Sequence, residues 1–153
     1  MIIEVHAEHA MKTFGSKLGA LLRGGEVIEL VGDVGAGKTT LTKGIANGLQ
    51  IDEDIQSPSF TISRVYDTPH GLHLSHYDFY RLQDAGIMAS ELHETVSDPT
   101  TITIIEWAEI IAGVLPKDRL TVTIKSSAED EHARLVELTA GGIKSSQLLK
   151  ELV

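Results

Sequence analysis

The segment Gly32-Asp33-Val34-Gly35-Ala36-Gly37-Lys38-Thr39 fits the pattern G-x-x-x-x-G-K-[ST] of a phosphate-binding loop. Its glycines let successive backbone N–H groups turn inward around a phosphate chain, where a Cβ would block the approach. Gly35, Ala36, Gly37, Lys38, Thr39 and Thr40 are the expected contacts. Lys38 is expected to place a point charge on the β- and γ-phosphates, and the Thr39 hydroxyl to bind Mg²⁺. Such a loop works only between a strand and the positive end of a helix, so it constrains the fold as much as the chemistry. The flanks comply: Glu26 to Val31 reads as a short buried strand, and Leu41, Ile45 and Leu49 follow at helical spacing up to Asn47-Gly48.

The remaining pattern predicts the rest of the fold. Met11, Phe14, Leu18, Leu21 and Leu22 form an apolar stripe on a first helix, stopped by Gly24-Gly25. Phe60 to Tyr66 and Leu72-Leu74-His76 read as strands around the turn Thr68-Pro69-His70-Gly71. A short-helical stretch from Gln83 to Asp98 leads to the buried strand Thr101 to Glu106. Leu120, Val122 and Ile124 alternate, as do Leu135 and Leu138, which predicts a second hairpin before a polar helix from about Ser145. Hairpins interrupt the β-α-β rhythm, so the expectation is a three-layer α/β domain over residues 1–153 with a mixed, mostly parallel central sheet.

Composition narrows the setting. The 153 residues include no cysteine, which excludes disulfides and thiolate metal sites and favours the cytoplasm. Neither a secretory signal nor an apolar run of about 20 residues is visible, so no membrane is expected. With 22 acidic and 13 basic side chains the formal charge is −9, and the basic residues are scattered. Such a chain repels a polyanion, so in a nucleic-acid pathway a partner would hold the RNA or DNA.

Three further clusters bear on the chemistry. Glu106 ends an apolar strand at the edge where ligands of open α/β sheets gather, and is the candidate carboxylate for Mg²⁺. Trp107, the only tryptophan, either packs beside the nucleotide or serves structure alone. Ser57-Pro58-Ser59-Phe60-Thr61 carries hydroxyls in a loop about twenty residues past Lys38, with Ser57 and Thr61 able to sense a γ-phosphate. In His76-Tyr77-Asp78-Phe79-Tyr80-Arg81-Leu82, Asp78 can hold metal or orient water, and Arg81 can steady a phosphate or pin Asp78. His76 reads as hydrogen-bonded structure.

In this order, the phosphate loop with Thr40-Leu41-Thr42, Ser57-Pro58-Ser59-Phe60, His76 to Leu82, and Ile105-Glu106-Trp107 resemble the TsaE (YjeE) family of small bacterial P-loop ATPases. The resemblance covers nearly the whole chain. It departs at Ser59, where the family has threonine, and at Met11, where a threonine or serine is common near the adenine. It implies ATP and Mg²⁺ as ligands, with Thr39, Glu106 and Asp78 at the metal and Lys38, Asp78 and Glu106 as the catalytic set. It also implies a switch-like loop from Ser57 to Thr61, and Trp107 and Met11 as nucleotide contacts. The implied role is support of threonylcarbamoyladenosine formation in tRNA, through ATP-driven cycling of the TsaD–TsaB pair. The rival reading is a small-molecule kinase, but the five arginines (23, 64, 81, 119, 134) are widely spaced and form no lid. A regulatory GTPase would need Asn-Lys-x-Asp and an ABC-type ATPase Leu-Ser-Gly-Gly-Gln; neither is present. A nucleotide-gated binding module with negligible turnover lies close to the main reading.

Overall fold

The computed structural model describes residues 1–33, 35–58 and 61–153. Its centre is a parallel strand pair fed by the phosphate loop. Strand β2 (Val27–Val31) lies between β5 (Thr101–Glu106) and β6 (Leu120–Ser126), parallel to both. Every residue of β5 is buried, the signature of a strand covered on both faces. Beyond it stands β4 (His73–Asp78), also parallel, and then β3 (Ser63–Asp67), which turns back as the antiparallel edge of a hairpin. On the other side β7 (Arg134–Ala140) pairs antiparallel with β6, and β1 (Ile2–Val5) with β7. The seven-stranded order is β1-β7-β6-β2-β5-β4-β3. The sheet is therefore mixed, with its four central strands parallel, as the sequence leads one to expect.

Alternation along the strands divides the apolar residues between two layers. Ile28, Leu30, Leu74, Ile102, Ile104 and Val122 face a core shared with α1 (Glu8–Leu21), α2 (Lys38–Gly48) and α4 (Ile143–Leu152). Val27, Tyr77 and Ile105 face α3 (Gly86–Ser97) and a 3₁₀ segment, Ala108–Val114. No helix of the described residues is long and apolar enough to cross a membrane.

The differences from the sequence reading are local. Strand β3 begins at Ser63: Thr61 and Ile62 both donate backbone N–H groups to Pro58 O, and Ile62 has φ 69°, which breaks the extended run. Phe60 lies outside the described residues. The edge strand β1 is missed by the sequence reading, being four residues long with Ile2 68% exposed. Helix α4 starts at Ile143, two residues early, because Asp118 from the loop before β6 accepts the Lys144 and Ser145 N–H groups and so supplies the cap.

Helices α1 and α2 meet through glycines. A Cβ on Gly15 would stand 2.6 Å from Leu41 O, and one on Gly19 would run into Ile45 O. From the other side, Cβ atoms on Gly44 and Gly48 would strike Lys12 O and Ser16 O. Backbone thus packs on backbone, which fixes α2, and with it the phosphate loop, against α1. An alanine at an ordinary helical glycine gains about 1 kcal/mol, but overpacking costs typically about 1–3 kcal/mol or more. Gly19→Ala, whose Cβ meets unyielding backbone, is expected to lose about 2 kcal/mol in denaturant unfolding. Gly113→Ala, where a Cβ meets nothing within 4 Å, should stay within about 0.5 kcal/mol of the parent. An unchanged midpoint for Gly19→Ala would contradict backbone-to-backbone packing.

Candidate functional site

The site forms where β2, β5 and β4 end together. Leu30 pairs with Glu106, and Glu106 with Asp78, so both carboxylates leave adjacent strand ends beside the start of the phosphate loop. They share strand parity with Ile104 and His76, on the face covered by α1 and α2. Both are buried: Asp78 is 4% and Glu106 3% exposed.

The loop itself turns on glycine. Gly35 and Gly37 have φ of 82° and 114°, in the left-handed region. Ala36 N–H closes a turn on Asp33 O, and Gly37 O accepts the first helical bond, from Leu41 N. Val34 lies outside the described residues. Around a Cβ built on Gly35 nothing stands within 4 Å among the described residues, which leave the loop open there. Thr39 and Thr40, the next residues, are half-buried at the head of α2.

Lys38 does not reach outward. Its Nζ donates to Gly32 O at 2.6 Å, lies 3.9 Å from the centre of the Trp107 ring and 3.9 Å from Glu106 Oε1. Burial lowers its pKa below the ordinary lysine value; Glu106, then Asp78, Glu109 and Asp33, oppose that shift by their charge. Four carboxylates around one buried cation leave the region short of positive charge for a polyphosphate. A divalent cation beside the phosphates would remedy that. Among the described residues no group of three or more His, Cys, Asp or Glu side chains can hold a metal ion. The donor set fits Mg²⁺, which binds through one or two carboxylates plus substrate phosphates and water.

Further partners fix the carboxylates. His76 is fully buried, with Nε2 2.6 Å from Glu106 Oε2. Asp78 Oδ1 accepts the Tyr80 N–H and its Oδ2 the Ser57 hydroxyl at 3.2 Å, which ties the Ser57 loop to the end of β4. Ile62 O accepts the Asp78 N–H, so the same segment is hydrogen-bonded twice to that strand end. A β-branched residue at positive φ is a backbone outlier, and it sits at the end of the loop expected to switch. Thr61 donates its hydroxyl to Ser63 O, within its own segment. Ser59 and Phe60 lie outside the described residues. Trp107 itself has φ 57° and packs its ring at a tilt of 56° against Tyr80, with centroids 4.9 Å apart.

Met11 is brought to the loop: it is buried, and its Cε is 3.5 Å from where a Gly37 Cβ would stand. It lines a cleft of about 220 Å³ with Gly35, Gly37, Thr40, His132 and Arg134. The sequence reading missed His132 and Arg134, because they enter from the β6–β7 hairpin and nothing local to them signals a site. Glu109 is likewise missed, and the partner of His76 could not be read from the chain.

The chain resembles proteins with this arrangement along most of its length. Residues 5–136 match the family model of the threonylcarbamoyl adenosine biosynthesis protein TsaE. The tRNA threonylcarbamoyladenosine biosynthesis protein TsaE of Bacillus subtilis is 37% identical over 142 residues, covering 92% of this chain and 86% of that protein. Its counterpart in Treponema pallidum is 38% identical over 117 residues, covering 76% of this chain and 84% of that protein. The crystal structure of Bacillus subtilis YdiB superposes with a TM-score of 0.82 at 31% identity, covering 99% of this chain and 93% of that one. The chain belongs to the TsaE family, whose role is in the biosynthesis of threonylcarbamoyladenosine in tRNA.

Proposed function

We propose that this chain is a Mg²⁺-dependent ATPase that binds ATP in the loop of residues 32–39, turns over slowly alone, and cycles the TsaD–TsaB carbamoyltransferase pair during threonylcarbamoyladenosine formation. The observation that carries the reading is a buried lysine held on Gly32 O beside two in-register strand-end carboxylates. Lys38 is a cation that has not found a carboxylate partner at hydrogen-bonding distance, although Glu106 is close. A phosphate chain in the loop offers it a better one.

In this reading the loop N–H groups and the head of α2 orient the phosphates, and Lys38 neutralises charge on the β/γ bridge as the bond breaks. Mg²⁺, when bound, would supply charge neutralisation to the phosphate oxygens, held by Thr39, Glu106 and Asp78. Asp78 and the Ser57 hydroxyl together can orient the attacking water. Met11 and Thr40 flank the cleft beside the loop, where the rest of the nucleotide would lie. Arg134 donates to Glu131 O and Ala133 O on the same side of the loop as Met11, so it is not aimed as a finger at the terminal phosphate. An arginine finger is worth roughly 10³–10⁵ in rate, which supports completion of the site by the partner pair. The charge of −9 fits tRNA being held by the complex and not by this chain, and the cytoplasm is the compartment where such a complex would meet its tRNA.

Lys38→Met takes away the cation that stands 3.9 Å from the buried Glu106 carboxylate and leaves that charge uncompensated, so it is expected to lower stability in the absence of nucleotide. The same variant should lose roughly a hundredfold or more in hydrolysis. Thermal unfolding and steady-state turnover on one preparation read both. Parent-like turnover would contradict the assignment of the loop. The second expectation concerns the partners: hydrolysis by the isolated chain is slow and rises on adding purified TsaD and TsaB. Fast turnover alone, unchanged by the pair, would overturn the coupled reading and favour a self-sufficient enzyme such as a kinase.

A further inference from the structure

His76 is expensive where it stands. It is 0% exposed, with apolar Leu74 before it on the same face of β4 and Ile104 beside it on β5, Asp78 after it on that face and Arg64 opposite it on β3, and its Nδ1 has no hydrogen-bond partner among the described residues. If packing were all the position required, an aliphatic side chain would fill it without burying an unmatched polar atom. What the imidazole adds is a single interaction, Nε2 to Glu106 Oε2 at 2.6 Å. A carboxylate oxygen accepts, so this bond takes a hydrogen on Nε2 as its donor. Glu106 thereby has one oxygen anchored from the adjacent strand, while the other, Oε1, faces Lys38 across 3.9 Å.

The geometry points to His76 as a positioning residue for Glu106: its Nε2–H fixes one carboxylate oxygen so that the other is presented to the phosphate loop and the water shell of Mg²⁺. Glutamate has three rotatable side-chain bonds, and this one sits at a strand end followed by a left-handed turn at Trp107. Neither feature fixes the carboxylate. The diagonal neighbour on β4 does, since His76 pairs with Ile104, two residues before Glu106 on the same face. Residues that orient a metal's carboxylates typically cost about 10–100-fold in metal affinity when replaced.

The inference rests on the Mg²⁺-nucleotide reading, and the test separates the two. ADP affinity is measured by calorimetry in Mg²⁺ and in EDTA for the parent, His76→Asn, His76→Gln, Glu106→Gln, and His76→Asn combined with Glu106→Gln. The parent should bind more tightly in Mg²⁺. His76→Asn should lose about tenfold or more of that gain with its EDTA affinity unchanged. His76→Gln should recover it, because the glutamine amide nitrogen reaches the position of Nε2 and that of asparagine only the position of Nδ1. In the Glu106→Gln background, His76→Asn should add nothing further. Equal behaviour of the Asn and Gln variants, a parallel loss in EDTA, or additive effects would each overturn the positioning role. A parent protein with no Mg²⁺ gain would overturn the nucleotide reading, and this inference with it. Should His76→Asn fail to fold, the ¹⁵N spectrum of the parent's histidines decides: an Nε2–H signal for His76 that moves with ADP and Mg²⁺ but not with ADP in EDTA supports the role. An Nδ1–H tautomer, or a signal indifferent to Mg²⁺, overturns it.

Discussion

Lys38 is a cation taken out of water and left beside Glu106, Asp78, Glu109 and Asp33 without closing on any of them. Burial disfavours its charge and the carboxylates favour it, with burial the larger effect. Its hydrogen bond goes to a backbone carbonyl of its own loop, and its charge lies over the Trp107 ring. Charges are tolerated in interiors when paired and hydrogen-bonded, and this one is only partly satisfied. In the proposed reading a phosphate chain accompanied by a divalent cation would complete it. The loop mouth at Gly35 is where an anion can enter.

The scaffold around that cation is set by close packing and by strand register. Glycine-to-glycine packing locks α2 to α1, so the helix that begins at Lys38 cannot drift along its neighbour. The parallel register of β2, β5 and β4 places Leu30, Glu106 and Asp78 side by side. Of the three non-glycine residues at positive φ among the described residues, Gln50 follows the end of α2, while Ile62 and Trp107 stand next to the site. Ile62 borders the Ser57 loop and Trp107 follows Glu106, and residues in sparsely populated backbone regions cluster at sites that respond to a ligand.

Much of this was legible in the chain. The phosphate loop, the strand ending in Glu106 and the mixed sheet follow from local pattern, because a buried parallel strand and a glycine loop before a helix both leave strong short-range signals. The α1–α2 contact did not, since Gly15, Gly19, Gly44 and Gly48 look like ordinary weak points in two helices until they are placed face to face. Arg134 and His132 reach the loop only through the closure of a hairpin about a hundred residues away in sequence. His76 was read as structural because its partner lies thirty residues on. Edge strand β1 carries too few buried residues to register as a strand.

Lys38 rests on Gly32 O and over Trp107, and in the proposed reading it leaves both for a phosphate chain. Trp107 is the only tryptophan, so its emission reports on the cation above its ring. Titrating the protein with ATP in the presence of Mg²⁺, with calorimetry establishing saturation, tests the claim directly. The account predicts a saturable change in Trp107 emission that tracks binding, as Lys38 leaves the ring for the phosphates, and its absence in Lys38→Met. No binding, or binding that leaves the emission untouched, would contradict it.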